Sequence, residues 1–83
     1  MEGRVAQEPR YIVQAFRRRR GALAPSERYE ASGEDAVVRR GLAMRQRVDG
    51  LAFFKIETSG EGDLWAEVEL LGSVGDVPDE EAA

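Results

Sequence analysis

The 83-residue chain contains no cysteine and no histidine. The first absence excludes disulfides, thiolate metal ligands and thiol nucleophiles. The second removes the commonest general base and the commonest zinc ligand. Ser26, Ser32, Ser59 and Ser73 therefore have no imidazole to activate them, and none sits in a nucleophile-elbow pattern. No apolar run approaches the roughly 18 residues that span a membrane. The opening MEGRVAQEPR lacks the apolar segment of a signal peptide. These absences predict a cytoplasmic protein with no catalytic residue, no metal, no cofactor and no membrane partner.

What is present fits one small domain. Charged residues make up 34% of the chain and apolar ones 42%, enough for a modest core. The net charge of −4 hides a polarity. Residues 1–50 carry eleven Arg against seven acids, and residues 51–83 carry Lys55 against nine. A molecule so divided can present a basic surface despite its acidic total, or pair head-to-tail with a copy of itself.

The sequence predicts a flexible leader over 1–10, a domain over 11–72 and an acidic, disordered tail over 73–83. YIVQAFR, residues 11–17, is rich in β-branched and aromatic types and reads as a strand. Arg17, Arg18, Arg19 and Arg20 with Gly21 then form a long basic hairpin tip. Pro25 bars a central strand position, so the second strand is expected only over Glu27–Ala31. Ser32, with Asp35 three residues on, reads as a helix N-cap. Val37, Gly41, Met44 and Val48 form its buried stripe, flanked by Val38 and Leu42. Gly41 on that stripe implies close approach of helix to sheet, and Asp49-Gly50 reads as the left-handed C-terminal cap. LAFFKIET and DLWAEVELLG, joined by SGEG, read as a second antiparallel hairpin.

The predicted fold is α+β: ββαββ, an antiparallel four-stranded sheet with one helix packed on one face. One helix leaves the other sheet face open. The alternation is read with Ala52, Phe54 and Ile56, and Leu64, Ala66, Val68 and Leu70, beneath the helix. The open face then carries Phe53 and Trp65, with either Tyr11 and Val13 or Ile12 and Phe16. Exposed apolar clusters of this kind mark contact surfaces. The leading functional expectation is therefore a non-enzymatic protein–protein interaction module. It would act through the open face or an edge strand, with a homodimer as one form, and Phe53, Trp65, Phe16 and Tyr11 are its candidate partner-binding residues.

A nucleic-acid-binding module is the alternative, with Arg17, Arg18, Arg19, Arg20, Arg39, Arg40 and Arg47 gripping phosphates. Against it, consecutive strand residues point to opposite faces, so only two of the four tandem arginines share a side. The plainer reading is a charged hairpin tip that protects strand edges. Glu57, Glu67 and Glu69 are the densest carboxylate group, but outward Glu at alternating positions is the ordinary pattern of a solvated sheet face. GEGD, residues 60–63, has a Gly-x-Gly that links strands and opens no helix, so it lacks the context of a phosphate loop.

YIVQAF, GLAFFKIETSGEGD and GSVGDVP together resemble a group of small single-domain proteins of alphaproteobacteria. These share a Tyr-x-Val-Gln strand, one helix, an Ala-Phe strand and a Gly-x-Val-Pro end. The likeness spans about residues 11–78 and departs at FKIE, where the group carries a small polar segment. It implies a bacterial cytoplasmic domain and transfers no activity and no site.

Overall fold

The computed structural model describes residues 9–58 and 66–78. Strand β1 (Arg10–Arg19) and strand β2 (Ala22–Ala31) form one hairpin, and α1 (Glu34–Ala43) follows with a 3₁₀ turn (Arg45–Arg47). Strands β3 (Gly50–Thr58) and β4 (Ala66–Gly75) complete a four-stranded sheet in the order β2-β1-β3-β4. All neighbours are antiparallel. The expected α+β architecture, ββαββ with one helix on the sheet, is the one observed. None of its helices, over the described residues, is long and apolar enough to cross a membrane.

The basic tip is tighter than expected. Arg20 (φ 54°) and Gly21 (φ 83°) are both left-handed, the pattern of a two-residue type I′ turn. Such a turn matches the twist of its flanking strands, so β1 runs through Arg19 and β2 starts at Ala22, five residues before the expected Glu27. Pro25 is accommodated because β2 is an edge strand. Ser26 and Glu27 together oppose Ala15, a bulge set between the Gln14–Arg28 and Phe16–Pro25 pairs. The Gln14 amide donates to the carbonyls of both bulge residues, at 3.4 and 3.2 Å.

The helix is shorter than the sequence suggests. Its N-cap is Gly33, whose carbonyl accepts from the Val37 N–H at 3.2 Å; Ser32 lies one residue outside and makes no cap bond. At the other end Met44 turns into the core, and a 3₁₀ hydrogen bond from Arg47 N–H to Met44 O (2.8 Å) tightens the exit. Val37, Gly41 and Met44 are buried as expected, Val38 and Val48 are half-buried, and Leu42 faces solvent. Gly50 is not left-handed. A Cβ there would lie 1.7 Å from the Asp76 carbonyl oxygen, so glycine serves close backbone approach instead.

The core joins Val37 and Met44 of α1 and its cap to Val13, Ala15, Leu51 and Phe53 of the sheet. Register places these sheet residues on one face, because Val13 pairs with Phe53 and Ala15 with Leu51. Phe53 is 6% exposed and lies beneath the helix, which corrects its expected place on the open face. In β3 the set Ala52, Phe54 and Ile56 is wholly apolar, whereas Leu51 and Phe53 share their set with Lys55 and Glu57, so alternation alone favours the wrong set as the inner one. Gly41 makes the choice: a Cβ on it would come within 2.6 Å of the Phe53 ring, and the vacant space admits the larger side chain. Strand β4 continues three residues past the expected boundary, with Ser73–Gly75 paired to β3. The leader before Pro9, the tail beyond Pro78 and the SGEG turn lie outside the described residues.

Candidate interaction surface

Because Val13, Ala15 and Phe53 face the helix, their neighbours Ile12, Gln14, Phe16, Ala52, Phe54 and Ile56 face the other way. Ile12 sits opposite Phe54, Phe54 opposite Leu70, and Ile56 opposite Val68. An apolar band thus crosses β1, β3 and β4. Its floor is closed: Ile12 and Phe16 are 7% and 4% exposed. Phe54 and Ile56 are half-buried walls, and Val68 (59% exposed) and Leu70 (36%) form the lip. The groove between them has a volume of about 370 Å³ and is bordered by Pro25, Gln14 and Arg28 of β1 and β2.

A second bulge shapes this face. Phe53 pairs with Gly72 but Phe54 with Leu70, leaving Leu71 as an extra residue in β4. Before it, Val68 and Leu70 point to the open side; after it, Val74 pairs with Leu51 and packs on the helix-side core together with Leu71. One strand therefore serves both faces in succession.

Of the expected partner-binding residues that are among the described ones, only Phe16 lies on this band. Phe53 is under the helix, Tyr11 is half-buried on the helix side beside the core, and Trp65 lies outside the described residues. Ile12, Phe54, Ile56, Val68 and Leu70 supply the surface instead. Phe54, Ile56, Val68 and Leu70 thus lie on the face opposite to the one expected for them.

The arginine run is divided. Arg17 and Arg19 alternate to the helix side with Ala15, while Arg18 points to the open side. Arg17 bonds the Glu27 carboxylate at 3.0 Å. Arg18 bonds Asp76 at 3.0 Å, and its N–H donates to Asp49 at 2.7 Å. Arg19 and Arg20 are exposed at the tip, as is Arg47 on the 3₁₀ turn and Arg39 on α1. Arg40 lies 4.1 Å above the Tyr29 ring, a cation–π contact.

The Glu27 carboxyl is held below its ordinary value, first by its own backbone N–H and further by the charges of Arg17 and Arg47, against the opposing effect of burial. Its Oε1 and the Ser26 Oγ are buried with no hydrogen-bond partner among the described residues. On the far hairpin, Lys55 is bonded to Glu57 at 3.3 Å, and that bond with the nearby carboxylate charge raises its pKa. Lys55, Glu57, Glu67 and Glu69 line a shallow depression of about 340 Å³, in which the ammonium offsets part of the acidic charge. Against these features, no protein-family model, curated protein or solved structure matches the chain.

Proposed function

We propose that this domain is a non-enzymatic protein-interaction module whose contact surface is the open sheet face. The observation that carries the reading is the apolar groove from Ile12 and Phe16 to Ile56 and Val68, with exposed Leu70 on the same face, on the side the helix does not cover. Contact surfaces combine an apolar centre with a charged margin, and here Arg28 and the Arg10–Glu30 pair form that margin. The partner that suits it is a protein surface with protruding aliphatic or aromatic side chains. A nucleic-acid role draws less support, because Arg17 and Arg18 are engaged by carboxylates and, among the described residues, Arg28 is the only arginine lining the groove.

The test is Val68→Glu, a change at an exposed position that leaves the core alone. Wild-type protein should enhance the fluorescence of anilinonaphthalene sulfonate and retain a partner from the source cell extract. Once identified, that partner should bind Val68→Glu at least about tenfold more weakly by calorimetry. Equal dye and partner binding by the two proteins would defeat the proposal.

A further inference from the structure

We infer that the free edge of β2 pairs with the β2 edge of a second copy, antiparallel and centred on Tyr29. This inference stands apart from the open-face reading and does not require it. Strand β2 is at the margin of the sheet. Pro25 and the bulge at Ser26–Glu27 blunt the first half of that edge, leaving Arg28–Ala31 as its regular part.

Side-chain parity restricts how such an edge can meet its own copy. Directly opposed residues of an antiparallel pair share a sheet face, so a twofold axis normal to the sheet passes midway between the two copies of one residue, which oppose each other. An axis at Arg28 opposes two Arg28 guanidiniums, and one at Glu30 opposes two Glu30 carboxylates. An axis at Tyr29 places Arg28 against Glu30 of the partner subunit, and Glu30 against the partner subunit's Arg28. Like charges directly opposed destabilise a strand pair, and unlike charges stabilise it. Only the Tyr29 register is self-complementary.

The side chains fit that assignment. Arg28 is exposed and forms no ion pair with another described residue, although Arg10, Arg17 and Arg18 all do. Glu30 is exposed and engages Arg10 through one of its two oxygens. The opposite edge behaves differently. On β4 an axis at Val68 would oppose Glu67 to the partner's Glu69, one at Glu69 would oppose two Glu69 carboxylates, and the Leu71 bulge breaks the ladder beyond. Charge thus favours self-pairing at one edge and penalises it at the other.

The product is a continuous eight-stranded sheet. Both helices lie on one side and the two open grooves lie on the other. The paired segment is short, so the interface falls at the small, transient end of the range and a dissociation constant on the order of 100 μM is expected.

Sedimentation velocity from about 5 μM to about 1 mM tests this. Wild-type protein should pass from monomer to dimer. Arg28→Glu and Glu30→Arg should each weaken dimerisation about tenfold or more, since each creates two like-charge oppositions. An equimolar mixture of the two variants should dimerise again, because both oppositions become unlike, and the double variant should do so alone. Both positions are exposed, and an unchanged urea midpoint verifies that each variant folds. Val68→Glu should leave this dimer intact, which separates it from the open-face reading. A wild-type monomer at about 1 mM, a dimer indifferent to both reversals, or a mixture that stays monomeric would each overturn the inference.

Discussion

Replacing Gly41 with alanine sets two known effects against each other at one atom. In a solvent-facing helix position the change should stabilise by about 1 kcal/mol, the difference in helix propensity. Here the added methyl would lie 2.6 and 2.7 Å from the Phe53 ring and 3.0 Å from Val13 Cγ2. Carbon–carbon contacts relax at about 3.5–4.0 Å, so the ring or the helix must shift by roughly an ångström. Phe53 is 6% exposed and Val13 fully buried, so neither has solvent to move into. Overpacking of this kind costs about 1–3 kcal/mol.

The net expectation is a loss of about 1 kcal/mol. For a domain of this size that lowers the melting temperature by about 4–8 °C, and the urea midpoint by somewhat under about 1 M. Phe53→Leu in the same background should relieve the clash, giving a coupling energy above about 0.5 kcal/mol in a double-mutant cycle. If Gly41→Ala stabilises by the full propensity difference, the helix does not ride on Phe53. The assignment of the two sheet faces would then be wrong.

Three further outcomes are expected. Gly50→Ala should destabilise by about 2–3 kcal/mol in urea titration, because its Cβ would meet backbone Asp76 O at 1.7 Å and detach the end of β4; amide exchange at Asp76, whose N–H bonds Asp49 O at 2.9 Å, should quicken with it. Glu27 has a folded pKa below its ordinary 4.5, so its stabilisation is fully present above pH 4.5 and is lost as pH falls through the lower folded value; Glu27→Gln should shrink the drop in urea midpoint between neutral and acid pH, and an unchanged drop would dismiss the Glu27 contribution. A fluorescent mixed-sequence oligonucleotide should not bind at about 50 mM salt; binding that falls steeply by about 200 mM and disappears in Arg19→Ser/Arg20→Ser would replace the protein-interaction reading.

The architecture was legible because each element carries its own period. The β-branched and aromatic opening, the Val37–Gly41–Met44 stripe and the two later apolar runs mark two hairpins around one helix. Boundaries were less legible where tertiary pairing overrides local chemistry. Pro25 looks like a strand breaker until β2 is known to be an edge, and Ser32 looks like a cap until the helix is seen to start one residue later, capped by Gly33. Arg20 gave little hint of the type I′ turn, since such turns favour Asn, Asp or Gly at that position.

The open face was misread for a different reason. In β3 the wholly apolar set Ala52, Phe54 and Ile56 alternates with Leu51 and Phe53, whose set runs on into Lys55 and Glu57, so alternation points to the wrong set as the inner one. In β4 the expected faces follow those of β3, so Val68 and Leu70 are inverted with it, and the Leu71 bulge then shifts the phase of the strand beyond. The size match between Gly41 and Phe53 was the usable signal, because a glycine on a buried helix stripe needs a large neighbour to fill its space. Once Phe53 is inside, parity alone sends Ile12, Phe54 and Ile56 outward, and the cross-strand pairs carry Val68 and Leu70 with them. A single glycine thus orders both surfaces. That is why Gly41→Ala tests the site as directly as it tests the core.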